Sequence, residues 1–165
     1  MEHKGDPEMN AKLTMNMIGT LGATLLAAAA PAHELKRIIN PPELANSLQY
    51  GYSQASVVSA DAQLIHVAGQ VGMSASGPND FESQVDRAFD ALQATLNASG
   101  ATARDVVKIT LLIVDHDSRK LAYLVKKRKA VFGDEPPAST LIPVPALYAP
   151  GVLFEIDAVA AARHQ

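Results

Sequence analysis

The chain has no cysteine and no tryptophan among its 165 residues. The first absence excludes disulfides, thiolate metal sites and a cysteine nucleophile together, and it selects neither redox compartment. Charge is also scarce. Lys and Arg number 14 against 17 Asp and Glu, a net of −3 with a pI near 5.9. That balance gives no general affinity for nucleic acid or acidic membranes. His66 stands in an apolar run and His116 between two aspartates, without the i, i+4 or His-x-His spacing of a metal site. No metal and no cofactor is expected. Gly69-Gln70-Val71-Gly72 lacks the lysine of a phosphate loop. More simply, Gly69 lets backbone approach something closely within a strand. Ser53, Ser139 and Thr140 lack the context of a nucleophile elbow.

What is present starts with an uncharged stretch from Leu13 to Ala32 that ends in Ala30-Pro31-Ala32. Counted from Met9, it has the layout of a secretory signal: Lys12, an apolar region and a small-x-small cleavage site. Glu2, Asp6 and Glu8 make a poor basic region, which points to Met9 as the natural start or to an upstream extension. The expected division is therefore 1–32, extension and signal peptide, and 33–165, one domain of ordinary size. Cleavage after Ala32 would make the protein periplasmic or secreted; otherwise it is cytoplasmic. No stable membrane span is expected, because Asn16, Gly19, Thr20, Gly22 and Thr24 dilute the hydrophobicity that one needs.

The rest reads as one α+β unit of order βββαβαββ. Leu35–Asn40 is a short strand stopped by Pro41-Pro42. Residues 52–60 and 63–71 are β-rich runs joined by a short polar connection, the pattern of a hairpin. Phe81, Val85, Ala88, Phe89, Leu92 and Leu96 recur at helical spacing, with Asn79 or Asp80 as cap. Residues 105–114 form the near-continuous apolar run of a central strand. Asp117 or Ser118 caps a second helix bearing Leu121, Leu124, Val125 and Phe132. Its basic run, Lys126-Lys127-Arg128-Lys129, reads as a solvated last turn that complements the helix dipole. Strands at 138–144 and 151–162 close the chain.

In that last strand Glu155 and Asp157 alternate with Phe154, Ile156 and Ala158. The pattern leaves two readings. Either the strand is an edge with solvated acids, or Glu155 is partly buried at a site that needs an acid.

Taken together, several segments resemble a known family. Ile38-Ile39-Asn40-Pro41, Gly51-Tyr52-Ser53-Gln54-Ala55 and Val67-Ala68-Gly69-Gln70 are similar to the opening of the Rid (YjgF) family of reactive-intermediate deaminases, formerly endoribonuclease L-PSP. Ala98-Ser99-Gly100-Ala101, Pro137-Ala138-Ser139-Thr140 and Phe154-Glu155-Ile156-Asp157-Ala158 extend the likeness in order, over 35–162. The resemblance implies a chorismate-mutase-like α+β fold, with a mixed sheet of about six strands and two helices packed on one face. It also implies a homotrimer with small clefts between subunits, a small-molecule substrate and no nucleic-acid partner.

In active members an Arg binds the carboxylate of an imine or enamine, a Glu in the last strand handles water, and a Tyr and a Ser help to bind substrate. Glu155 falls on the Glu position, as tentative catalytic residue, and Tyr52 on the Tyr position. Gly69 and Ser139 belong to the substrate-binding segments. Ala138 stands where the Arg would be and Ala68 where the Ser would be. A guanidinium grips a carboxylate through paired hydrogen bonds that alanine cannot make. The expectation is thus a 2-iminobutanoate/2-iminopropanoate deaminase-like hydrolase with altered or lost activity. The alternative is a metabolite-binding trimer without turnover.

Overall fold

The computed structural model describes Met1 and residues 35–163. Contacts divide the chain into two units, Met1–Ala32 and His33–Gln165. The expected leader and its cleavage site lie outside the described residues.

The second unit contains strands β1 (Lys36–Ile39), β2 (Ala55–Val58), β3 (Gln63–Val71), β4 (Val106–Val114), β5 (Ala138–Val144) and β6 (Phe154–Ala162), with helices α1 (Phe81–Ala98) and α2 (Ser118–Phe132). They form a mixed four-stranded sheet of order β3-β6-β4-β5, plus a separate pair, β1-β2. β6 runs antiparallel to both neighbours and β5 parallel to β4.

The expected hairpin of 52–60 with 63–71 does not form. β2 pairs antiparallel with β1, and β3 crosses to pair with the chain-terminal β6. Both runs are apolar enough to pair with several partners, and adjacency in sequence did not decide between them. The strand pair is tied to the main sheet by side chains instead. Ser56 Oγ donates to the Val107 carbonyl at 2.6 Å and Lys36 Nζ to the Val106 carbonyl at 3.2 Å. Ser53 forms an isolated parallel bridge with Ala138, so the segment before β2 flanks the free edge of β5.

Both helices start where acids can cap them. Asp80 accepts from Ser83 N and Asp117 from Lys120 N, each satisfying a first-turn donor that the helix itself leaves orphaned. Their apolar stripes meet one face of the sheet in a single core. Phe81, Phe89 and Leu92 of α1 and Leu124 and Phe132 of α2 share it with Ile109, Leu111, Phe154, Ile156 and Ala158. Phe89 stacks on Phe154 at 6.1 Å, and Phe81 meets that ring edge-on at 6.0 Å. Each such buried ring contributes roughly 2–3 kcal/mol. Among the described residues no helix packs on the opposite face of the sheet.

Candidate active site

Alternation along the strands decides which residues face the helices and which the uncovered side. In β6, Phe154, Ile156 and Ala158 enter the core, so Glu155 and Asp157 face away from it. Register carries that assignment across the sheet. Glu155 is level with Leu112, and Leu112 with Ile142. Ala138 is level with Lys108 on the same uncovered face. Ser139 and Leu141 are level with the core residues Ile109 and Leu111, so they face the helices.

The half-buried Glu155 lies directly over Gly69. A Cβ built at position 69 would stand 1.8 Å from Glu155 Oε1 and 2.7 Å from its Cδ. The close approach expected at Gly69 is therefore made by this carboxylate. It coincides with a register shift between Val67 and Gln70, where β3 bulges against β6. The carboxylate has no hydrogen-bond or ion-pair partner among the described residues. Both flanks are fixed. The buried Gln84 accepts from Leu153 N at 2.9 Å and donates to the Gly151 carbonyl at 2.8 Å, which holds the entry to β6. Arg87 Nε donates to the Gly72 carbonyl at 2.6 Å, which holds the exit of β3.

Tyr52 and Ser139 are brought together elsewhere, on the helix side of β5. They line a cavity of about 350 Å³ with Tyr50, Leu121, Leu141 and Arg128. Asn40 Oδ1 accepts from Ser47 Oγ and from Gln54 N, both at 2.9 Å, and so pins the loop that carries both tyrosines. Gly51 supplies the turn, at φ 70°, and a Cβ built there would stand 3.2 Å from Arg128 Cβ.

Arg128 corrects the reading of the basic run as solvated. Lys126 and Lys129 are exposed and Lys127 pairs with Asp86 at 2.8 Å, but Arg128 is 3% exposed. Its guanidinium lies 5.7 Å from the Tyr52 ring centre. Burial pushes its pKa below the ordinary value, and the nearby Tyr52 opposes that shift. The four-residue spacing Lys120-Leu124-Arg128-Phe132 was the available signal, since all four are buried on one stripe.

Position 138 is alanine on the uncovered face. The cation level with it is Lys108, which bonds Thr140 Oγ1. Burial lowers the Lys108 pKa, and the charge of Asp157 opposes this. Strand spacing of about 4.8 Å and a rise of about 3.3 Å per residue put Glu155 and Ala138 roughly 16 Å apart within one chain. The five residues singled out from sequence thus fall into separate places. Glu155 sits with Gly69, Tyr52 with Ser139, and Ala138 beside Ser53. Among the described residues no three or more His, Asp or Glu cluster as a metal site would require, and no helix is long and apolar enough to cross a membrane.

Residues 45–162 match the family model described as Endoribonuclease L-PSP. The RutC family protein YjgH of Escherichia coli is 32% identical over 113 residues, covering 67% of this chain and 85% of that protein. The chain belongs to the Rid (YjgF) family. A Rid family protein of unknown function from Yersinia pestis, YyfB, superposes with a TM-score of 0.73 at 32% identity, covering 78% of this chain and 99% of that one. A second solved structure, the protein YjgH, has 29% identity and a TM-score of 0.55, covering 78% of this chain and 96% of that one. The Rid fold accounts for the mixed sheet, the two helices and the separate strand pair alike.

Proposed function

We propose that this Rid-family protein hydrolyses an imine or enamine of a small molecule, in clefts between the subunits of a homotrimer. Glu155 would handle the water. The observation that carries the reading is the carboxylate itself: half-buried, unpaired among the described residues, and set over a glycine that leaves room for nothing larger. In the reaction, water adds to the carbon of the C=N bond while Glu155 accepts a proton from it. The carbinolamine formed from the protonated imine then takes that proton from the carboxyl onto its nitrogen, and Glu155 accepts the hydroxyl proton as the C–N bond breaks, leaving a carbonyl and ammonia. No cofactor is needed for these steps. The uncovered sheet face is the surface through which subunits would meet. Tyr52 would orient substrate from the neighbouring subunit, since within one chain it stands with Arg128 rather than Glu155.

The substrate differs from a 2-imino acid held by an arginine at position 138, because Ala138 offers no charge. Metabolite binding without turnover is the second reading, and Ala138 and Ala68 favour it. The deciding experiment generates a panel of imines in situ and measures ammonia release by wild type and by Glu155→Gln. Light scattering checks that both remain trimeric. A loss of about 10²–10⁴-fold in the variant is expected. Equal rates would sink the mechanism, and absence of turnover across the panel by wild type would favour binding alone.

A further inference from the structure

Gln84 is fully buried on α1, where an apolar side chain would pack without any polar group to satisfy. Its amide is saturated by backbone that lies outside the strands. Oε1 accepts from Leu153 N at 2.9 Å, while Nε2 donates to the Gly151 carbonyl at 2.8 Å and to the Asn79 carbonyl at 2.9 Å. One acceptor and two donors on a single uncharged group is the signature of an amide. The Leu153 carbonyl accepts from Val114 N at 3.0 Å, so both peptide groups of Leu153 are held. Leu153 immediately precedes β6, and Glu155 is the second residue of that strand.

The same residue meets β3 with its backbone. A Cβ built at Gly72, just beyond β3, would stand 2.0 Å from the Gln84 carbonyl oxygen and 2.7 Å from its Cα. Main chain therefore touches main chain at that point, with no side chain between to act as a cushion. Gln84 thus sets the exit of β3 against the entry of β6. Strand pairing holds them least well between Val67 and Gln70, where the register shifts and Glu155 lies over Gly69. We propose that Gln84 is a positioning residue for Glu155, which sets the carboxylate over Gly69 by clamping Leu153 from the helix side of the sheet. The proposal rests on Glu155 acting as the base in imine hydrolysis, and Gln84 itself touches no substrate.

The test compares wild type with Gln84→Met, which matches the side chain in length but makes none of its bonds, and with Gln84→Glu. Burial and the facing carbonyls push a carboxyl at this position up from the ordinary acid range. Protonated, it accepts from Leu153 N and donates to one carbonyl; ionised, it repels both. Imines are made in situ from 2-aminobutanoate and from butylamine by flavin oxidases, and rates are measured well below each variant's melting temperature. Gln84→Met is expected to lower kcat about 10–100-fold with KM within about twofold of wild type. Relative to wild type at each pH, Gln84→Glu is expected to be nearly as fast at about pH 6 and as slow as Gln84→Met at about pH 9. In crystals of Gln84→Met, and of Gln84→Glu at the higher pH, the Glu155 carboxyl is expected to lie about 1 Å or more from its wild-type place. An unchanged kcat, a Gln84→Glu ratio flat with pH, or an unmoved carboxyl each overturns the proposal. If Gln84→Met does not fold, the pH profile and crystals of Gln84→Glu decide. If wild type hydrolyses neither imine, the hydrolytic reading fails for them, and the crystals alone decide whether Gln84 places the carboxylate.

Discussion

On one face of the four-stranded sheet Glu155 presents a carboxylate without a partner among the described residues, and behind the other face Arg128 buries a guanidinium that bonds the Tyr50 carbonyl but meets no carboxylate among them. The two are unequal physically. Glu155 is half-buried on an uncovered surface, where water solvates the charge and is also the reagent the proposed chemistry requires. Arg128 is 3% exposed, so water cannot do the same for it. An unpaired acid in a wet place costs little and stays available. An unpaired cation in a dry place persists only where something else offsets it.

The comparison can be broken most forcefully at Gly69. Gly69→Ala puts a methyl group into the space of Glu155 Oε1, the end of a flexible side chain that can swing away. Hydrolysis should fall by about 10²-fold through displacement of the base. The melting temperature should move by only a few degrees, because no backbone atom is struck. An unchanged rate in the ammonia assay would mean that the carboxylate does not work from its position over Gly69.

Arg128→Met sharpens the other half. Replacing a buried cation lacking an acid by an apolar chain of similar length should leave the unfolding free energy within about 1 kcal/mol of wild type in urea titrations. A loss of about 3 kcal/mol or more would make Arg128 a structural clamp instead.

The smallest effect belongs to a charge pair, Asp86 with Lys127, that bonds neither Glu155 nor Arg128, and it serves as a control. Burial works to raise the pKa of Asp86, but hydrogen bonds from Lys127 and Tyr123 outweigh it and hold it below 3.8. A depressed acid stabilises the fold above its unfolded pKa, and that contribution disappears as pH falls through the folded value. Tyr123 is pushed up from 10.0 to about 12, first by burial and then by Asp86, so its contribution is lost as pH rises through about 12. Asp86→Asn should therefore cost under about 1 kcal/mol at neutral pH. Melts recorded down to pH 3 should show the difference from wild type shrinking below about pH 3.8.

Much of the fold was legible because local chemistry determines it. The caps at Asp80 and Asp117, the stripe of α1 and the alternation of β6 need no distant information. Strand partnership does need it, which is why β2 and β3 were mispaired. The close approach at Gly69 could be anticipated from a glycine inside a strand, but not that Glu155 would make it. Arg128 stayed hidden because three lysines surround it in sequence, and a run of like charges reads as one solvated surface. Only its phase relative to Leu124 and Phe132 separates it from its neighbours. The parting of Tyr52 and Ser139 from Glu155 was invisible, since it follows from which face of the sheet each occupies.

The contact between Gly69 and Glu155 also has a consequence for how relatives diverge. A Cβ at 69 and a glutamate at 155 claim the same space. Where the carboxylate is to keep this position, the two residues are expected to change together. A lineage that shortens residue 155 releases 69 to become any strand-forming residue, and one that keeps the acid is bound to the glycine. A larger residue at 69 would thus be the mark, readable without any structure, of a descendant that has given up this carboxylate's position.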